Sequence, residues 1–277
     1  MASNDHIAII VCDTPIEGVY EKFGDFGDNV ESLLDNAGGS PFPCVKYQLK
    51  LEDEITLKDI YSNLWKSIEQ GNIKGIIFTG SRSDSFAKGV MWIDMMDHFI
   101  KGLLKEHGLP IVGICFGHQI ICKNLNCIVG RNDPEIGWEN GTTEIQMNKE
   151  VLTSDKSPFK SFFNDKDARL NLTESHLDIV HGIPETFDHT EFLCIGSTSK
   201  CAVQGILTKS GPVKILTFQG HPEFTAEISL SLLERSFHLG KIDEAVFRES
   251  TRKTEETENQ GVLAGKVIVN FLKLHNC

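Results

Sequence analysis

A cysteine between two glycines is the residue of this chain whose setting most clearly indicates chemistry. It lies in Gly113-Ile114-Cys115-Phe116-Gly117, between an apolar run of strand length and a helical pattern. A nucleophile at such a strand-to-helix turn sits in strained backbone, which requires small neighbours. The N-terminus of the following helix favours a thiolate through its dipole and free N–H groups. The sequence therefore predicts that Cys115 is a nucleophile, with the N–H of Phe116 directed to where an oxyanion forms.

A histidine and a glutamate at the end of a later apolar run supply the partners that such a cysteine needs. His221-Pro222-Glu223 follows the run Val213–Phe218. A histidine base takes the thiol proton and returns it to the leaving amine, and an acceptor fixes its tautomer. Glu223 can be that acceptor if the chain turns at Pro222. Together the two segments predict a catalytic triad of Cys115, His221 and Glu223.

A third segment, Thr79-Gly80-Ser81, follows an apolar strand at the edge where ligands bind in open α/β sheets. A glycine at this place lets backbone N–H groups approach a substrate oxygen. A plain turn between a strand and a helix would have the same composition. Asp84, a few residues on, can contact a substrate amino group or be an ordinary turn acid.

The elements that must position these residues alternate between buried strands and helices, which is typical of a parallel sheet covered on both faces. In the first half the predicted strands are Ile7–Cys12, Cys44–Leu51, Ile73–Thr79 and Ile111–Ile114, and the predicted helices are Gly24–Asn36, a helix capped by Thr56 that ends at Gln70, and Val90–Glu106. In the second half, short strands separated by turns indicate an antiparallel extension of that sheet. The predicted fold class is therefore α/β.

Net charge limits the partners of this chain. With 27 basic and 39 acidic residues, the 277-residue chain carries a charge of −12, which repels nucleic acid and anionic lipid. No apolar run approaches the roughly 20 residues that span a bilayer. The first apolar run follows Asp5 and has no basic segment before it, so it indicates a buried strand and not a signal peptide.

The cysteine spacing gives no support for a metal site or a disulfide framework. No CxxC pair is present, and the cluster Cys115, His118, Cys122 and Cys127 does not have the spacing of a structural zinc site. We therefore expect no metal and no cofactor. In the absence of a secretion signal most of the eight cysteines should be thiols in a reducing compartment, which predicts the cytoplasm. They are Cys12, Cys44, Cys115, Cys122, Cys127, Cys194, Cys201 and Cys277.

These segments resemble the class I (triad) glutamine amidotransferase family. Residues 113–119 fit its nucleophile segment and residues 219–223 fit its His/Glu segment, while residues 136–138, 175–180 and 202–205 fit further landmarks in the right order. The resemblance covers about residues 5–240. Within the family the chain looks most like the stand-alone fungal-type members, and it is also similar to plant γ-glutamyl peptidases. The resemblance implies a flavodoxin-like sheet with helices on both faces.

The resemblance also implies roles. Cys115 would attack the γ-carboxamide of a glutamyl group and form a γ-glutamyl thioester that water resolves. Oxyanion and substrate contacts would come from Gly80 or Ser81, Phe116, Gln119, Ser175 and His176. His176 is also an alternative to His221 as the base. The family often has a bulky residue before the histidine, and Gly220 at this place predicts a roomier pocket.

Residues 1–240 are predicted to form the amidotransferase-type domain, and residues 241–277 a charged helical extension packed on it. The dense charge of Lys241–Gln260 is typical of a solvated helix or a linker. Three functions stay open. One is a glutaminase that delivers ammonia to a synthase on another chain. The second is a stand-alone peptidase that acts on glutathione-like γ-glutamyl compounds, and the third is a non-catalytic, redox-responsive binding protein.

Overall fold

A twisted, mostly parallel sheet forms the centre of the protein in a computed structural model, which describes residues 4–16, 18–105, 108–163 and 168–276. The strands are β1 (His6–Val11), β2 (Cys44–Gln48), β3 (Ile73–Phe78), β4 (Pro110–Ile114), β5 (Val129–Arg131), β6 (Glu139–Met147), β7 (Arg169–His176), β8 (Asp178–Val180), β9 (Glu191–Cys194), β10 (Gly196–Ser197), β11 (Ile206–Ser210) and β12 (Lys214–Phe218). The helices are α1 (Tyr20–Phe23), α2 (Phe26–Asn36), α3 (Glu54–Glu69), α4 (Met91–Leu103), α5 (Phe116–Asn124), α6 (Lys149–Thr153), α7 (Ala226–His238), α8 (Glu244–Glu256) and α9 (Gly261–Leu274).

The order of strands in the central sheet is β2-β1-β3-β4-β12-β11-β9. The pairs from β2 to β12 are parallel, and β11 and β9 add an antiparallel edge. The side chains of β1 and β4 are buried along their whole length, as expected for strands covered on both faces. The predicted α/β fold with a mostly parallel sheet and an antiparallel extension is confirmed.

Part of the antiparallel structure stands apart from the central sheet. Strands β6 and β7 pair from Glu139 opposite His176 to Gln146 opposite Arg169, and β10 pairs with the other side of β6. Strands β5 and β8 form a separate two-stranded ribbon. The sequence did not separate these ribbons from the sheet, because short antiparallel strands have the same pattern in either place.

Helices cover both faces of the central sheet. On one face, α2 and α9 pack over side chains such as Ile9 and Ile114. On the other face, α3, α4 and α5 enclose side chains such as Ile10 and Phe78. Helix α9, at the end of the predicted extension, is thus part of the core. Much of the charged segment before it forms α8, whose Ser250 backbone lies against Gly141 of β6. The division at residue 240 stays a prediction.

Helix starts differ from the prediction where a different side chain caps the helix. Helix α3 begins at Glu54 because Asp53 accepts hydrogen bonds from the N–H groups of Ile55 and Thr56, so the predicted cap at Thr56 was wrong. A capping box of Asp25 and Asp28 likewise starts α2 at Phe26. Glu106, the predicted end of α4, lies outside the described residues.

The cysteines within the described ranges are all free, and Cys277 lies outside those ranges. Across the part of the chain that the structure describes, none of the helices is long and apolar enough to cross a membrane.

The start of α5 lies in direct contact with β3. A Cβ atom added at Gly117 would lie 2.4 Å from the carbonyl oxygen of Phe78, and one added at Gly113 would lie 2.7 Å from the backbone of Gly117. Backbone atoms on a central strand cannot move away from such a group without disturbing the sheet. This approach explains why the cysteine motif has glycines on both sides.

We expect Gly117→Ala to lower the free energy of unfolding by about 1–3 kcal/mol, because the added methyl group overpacks the contact with Phe78. Gly130→Ala is the matched control, since its nearest neighbour would be His181 Nε2 at 3.9 Å. Urea unfolding of both variants measures the difference. Equal stability of the two variants would contradict this account of the turn.

Candidate functional site

Cys115 lies at the junction of β4 and α5, in a backbone conformation that ordinary residues avoid. Its φ is 51° and its ψ is −104°. Its N–H donates to the carbonyl oxygen of Phe218 at 2.8 Å, which ties the turn to the neighbouring strand β12. Such backbone strain costs about 1–3 kcal/mol and persists only when the surroundings impose it. Phe116 is the first residue of α5, so its N–H has no acceptor within the helix.

His221 is fixed by contacts on several sides. Its Nδ1 lies 2.8 Å from Oε1 of Glu223, and its backbone N–H donates to the carbonyl of Thr173 at 2.7 Å. The ring stacks on Phe224 with 4.1 Å between centroids and 6° between planes. The predicted turn at Pro222 thus brings the glutamate to the histidine. The bond at Nδ1 leaves Nε2 as the nitrogen that can exchange a proton with a reacting group.

The charges around His221 favour its protonated form. Burial alone would lower the pKa of His221, but the negative charges of Glu223 and Cys115 raise it well above its usual value. A thiolate beside an imidazolium is the arrangement in which a cysteine is nucleophilic at neutral pH.

Gly80 borders both Cys115 and His221. A Cβ atom added at Gly80 would lie 3.0 Å from Cε1 of His221 and 3.8 Å from Cβ of Cys115. The next residue, Ser81, directs its hydroxyl toward Asp13 Oδ2 at 3.4 Å and accepts a hydrogen bond from the N–H of Ser83. The segment after β3 therefore reaches the cysteine, and a side chain at residue 80 would be in tight contact with the histidine ring.

These residues open on a cavity of about 430 Å³, within the range of roughly 300–1,000 Å³ that is typical of small-molecule sites. Predicted residues among its walls are Ser81, Cys115, Gln119, Ser175, His176 and His221. Phe116 and Glu223 are buried next to them. The sequence did not predict the walls formed by Phe26, Arg131, Trp138, Asn140, Asp178, Phe224, Leu232, Lys241 and Ile242. Most of them carry no motif, and only the fold brings them together.

One side of the cavity is built from polar and charged groups. The amide nitrogen of Gln119 donates to the carbonyl of Asp178 at 3.0 Å and to Gln219 Oε1 at 3.2 Å. Arg131 forms ion pairs with Asp178 and with Asp84, the latter at 2.9 Å. Asp84 is therefore placed at the cavity, but with an arginine as its partner.

His176 lies between two buried carboxylates. Its Nε2 is 3.2 Å from Glu139 Oε2 and 3.1 Å from Glu174 Oε2. Burial alone would lower the pKa of His176, but hydrogen bonds and charge from Glu139 and Glu174 raise it to about 10. The three side chains also have the spacing of metal ligands. A protonated ring is a poor metal ligand and a poor base, so the arrangement suits a buried ion pair better than either role.

Gly220 does not leave a roomier pocket, because the Glu174 side chain fills the space beside it. A Cβ atom at position 220 would lie 2.4 Å from Glu174 Oε1 and 3.0 Å from Leu172 Cβ. The expectation from the sequence was therefore wrong. Burial raises the pKa of Glu174, although the charge of His176 opposes this shift. The Glu174 carboxylate occupies the space that a side chain at residue 220 would need.

His118 and Cys122 are both buried side chains of α5. His118 is fully buried, and its Nδ1 lies 2.8 Å from Thr217 Oγ1. Burial lowers the pKa of this ring to about 3, so it is neutral. Burial also raises the pKa of Cys122 well above its usual value. Both side chains pack α5 against the sheet.

The C-terminal segment supports the histidine loop from behind. Asn259 Nδ2 donates to the carbonyl oxygens of Phe224 at 2.6 Å and His221 at 3.3 Å. Gly261 approaches so closely that an added Cβ atom would lie 2.0 Å from the carbonyl oxygen of Pro222. The segment that the sequence presents as a charged extension thus helps to define the position of His221.

Comparison with known proteins gives consistent matches over most of the chain. The model of the family described as "Glutamine amidotransferase class-I" matches residues 32–238. A glutamine amidotransferase-like protein of Schizosaccharomyces pombe is 32% identical over 96% of this chain and 98% of its own length. Gamma-glutamyl peptidase 2 of Arabidopsis thaliana is 30% identical over 72% of this chain and 73% of its own.

More distant matches concern part of the sequence or the fold alone. A GMP synthase of Borreliella burgdorferi is 30% identical over 58% of this chain, a match that spans 26% of that enzyme. The crystal structure of a glutamine amidotransferase from Thermotoga maritima superposes with a TM-score of 0.64 at 16% identity, over 98% of this chain and 99% of the other.

We expect His176→Gln to lower the free energy of unfolding by about 3–5 kcal/mol, because it leaves two buried carboxylates without their cation. The raised pKa makes this contribution fully present below pH 6.5, and it is lost as the pH rises through about 10. Urea unfolding across that range measures it. His238→Gln is the control, since His238 is exposed. A loss of stability that did not shrink at high pH would contradict the ion pair.

Proposed function

Since the chain belongs to the class-I glutamine amidotransferase family, we propose that it hydrolyses γ-glutamyl amides with Cys115 as the nucleophile. The observation that carries this proposal is the strained Cys115 at the start of α5, next to a histidine whose Nδ1 is held by Glu223 at 2.8 Å. The charges of Glu223 and Cys115 raise the pKa of His221, and a base paired in this way with a cysteine is what nucleophilic catalysis requires.

In the proposed reaction, the Cys115 thiolate forms a bond to the carbonyl carbon of the γ-glutamyl amide. The charge that develops on the carbonyl oxygen is stabilised by the N–H of Phe116 and an N–H of Gly80 or Ser81. His221 gives its proton to the leaving nitrogen, and the carbon–nitrogen bond breaks to leave a γ-glutamyl thioester.

Water completes the proposed cycle. His221 removes a proton from the water that attacks the thioester carbonyl, and the thiolate leaves as glutamate forms. Glu223 keeps the imidazole in one tautomer throughout. Gln119, Ser175 and His176 line the cavity where the glutamyl part binds, and Gln119 is held there by Asp178. These steps involve protein side chains and water and assign no role to a metal or a cofactor.

The fate of the leaving amine separates the candidate functions. As a glutaminase, the chain would release ammonia to a synthase on another polypeptide, and the similarity to a GMP synthase supports that candidate. As a stand-alone peptidase it would release an amino acid or peptide to water, and the similarity to γ-glutamyl peptidases supports that one. Both use the same first step. A thiol nucleophile works in a reducing compartment, and we propose the cytoplasm.

A γ-glutamyl chloromethyl ketone tests the nucleophile. We expect one adduct, on Cys115, located by peptide mass spectrometry. His221→Asn should slow labelling by several orders of magnitude, because the thiolate loses its partner. Cys127→Ala is the control, since this half-buried thiol lies outside the cavity and its loss should leave labelling unchanged. An adduct on another cysteine, or equal labelling of the His221 variant, contradicts the proposal and favours a non-catalytic binding protein.

Glu223→Gln tests the orientation of the histidine. The charge of Glu223 helps to raise the pKa of His221, so its removal should lower that pKa. The alkaline limb of the profile of kcat/KM against pH should therefore move to lower pH. The rate should fall by about 10²–10⁴, as for other bases that lose their orienting carboxylate. An unchanged alkaline limb would show that Glu223 does not act on His221.

A further inference from the structure

We propose that Lys241, together with an apolar wall of Phe224, Leu232 and Ile242, binds the leaving group of the substrate. The ligand chemistry that fits is an amino acid or short peptide with an apolar side chain and a free carboxylate, joined through its amine to the γ-glutamyl group. The inference rests on the proposed function, because it needs Cys115 and His221 to be the reacting pair.

The side of the cavity that faces the leaving group follows from the chemistry. The leaving nitrogen must receive its proton from His221, so it departs next to that ring. The ring is stacked on Phe224, which lines the cavity. In the proposed function the glutamyl part binds beside Gln119, whose amide nitrogen donates to the carbonyl of Asp178. The cavity walls next to Phe224 therefore contact the part of the substrate that leaves with the amine.

Those walls are apolar, although ammonia as a leaving group would need no apolar surface. Phe224 is in a small hydrophobic cluster with Phe26 and Ile228, and Leu232 packs against it. Phe26, Leu232 and Ile242 also line the cavity. Apolar surface stabilises a complex only if the ligand covers it. Glutamine presents nothing beyond its amide nitrogen, whereas a substituted amide carries a side chain that reaches these residues.

Lys241 is a cation at the cavity, and it has no ion-pair partner among the residues that the structure describes. Arg82 pairs with Asp13, and Arg131 pairs with Asp84 and Asp178. Within the described residues, no carboxylate lies within 4.0 Å of the Lys241 ammonium group. A free cation on the leaving-group side attracts an anionic ligand, and the carboxylate of an amino acid or peptide supplies that charge.

The backbone of Lys241 is fixed by the end of α7. Gly240 adopts φ 66°, its N–H donates to Phe237 O, and the N–H of Lys241 donates to Ser236 O, both at 2.9 Å. This is the Schellman pattern that closes helices. Asp243 then caps α8 by accepting from the N–H of Val246. Lys241 and Ile242 thus form a short bridge that is held at both ends, and both lie beyond the residues that the family model matches.

A pair of substrates tests the charge. Wild type should hydrolyse γ-glutamyl-leucine better than the same compound with a C-terminal carboxamide, by about threefold to fivefold in kcat/KM, as expected for a partly exposed ion pair. Lys241→Met should abolish this preference, and Lys241→Glu should reverse it. Lys266→Met, an exposed lysine of α9, is the matched control and should keep it.

A second pair tests the apolar wall. Wild type should prefer γ-glutamyl-leucine to γ-glutamyl-glycine by about tenfold in kcat/KM, because the larger side chain covers apolar surface. Leu232→Ser should reduce that ratio. Leu232 is half-buried at the cavity and not in the main core, so the variant is expected to fold. A ratio of one in wild type overturns the apolar part of the subsite.

The outcomes separate the two proposals. If Cys115 is labelled and glutamine is hydrolysed while γ-glutamyl dipeptides are not, the subsite is wrong and the proposed function stands. If dipeptides are hydrolysed, but the carboxylate and carboxamide substrates have equal kcat/KM in wild type and in Lys241→Met, the proposed role of Lys241 is wrong. If the γ-glutamyl electrophile does not label Cys115, the proposed function fails and the subsite fails with it.

Discussion

The backbone of Cys115 is held at a positive φ by two neighbouring strands. Its N–H donates to Phe218 of β12, and the helix that follows it begins in contact with Phe78 of β3. Helix α5 therefore starts within van der Waals distance of the sheet, which is feasible only because Gly117 has no side chain. The packing of the sheet offsets the cost of this strained backbone. The turn directs the Cys115 thiol into the cavity, next to the positive end of the α5 helix dipole.

The position of the histidine depends on parts of the chain that are distant in sequence. Strand β7 accepts the backbone N–H of His221 through Thr173, and Asn259 holds the same loop from the C-terminal segment. Helix α8 is held against β6 at Gly141. Residues after 240 thus support the site and also line the cavity. The sequence did not indicate this role, because dense charge is typical of a solvated helix and because few residues of α8 are buried.

A buried carboxylate beside the histidine loop explains the most unusual feature of the second motif. Gly220 stands where a larger residue would collide with Glu174, and Glu174 and Glu139 both lie within ion-pair distance of His176. Removing one partner of such a cluster leaves an uncompensated buried charge. The cluster therefore packs strands β6 and β7 against the loop that carries His221. A sequence pattern shows the glycine but not the carboxylate that requires it.

The sequence by itself determined the order of strands and helices in the first half and the candidate triad, because apolar periodicity and the glycines around Cys115 are local signals. It placed helix starts less well, as at Asp53, where several polar residues compete to cap the same helix. Tertiary structure alone decided the rest of the site. Asp178, Phe224 and Lys241 lie on three different parts of the chain, and Phe224 and Lys241 carry no motif; only the fold brings them to one cavity. Spacing along a chain encodes local geometry, whereas the walls of a cavity depend on contacts across the fold.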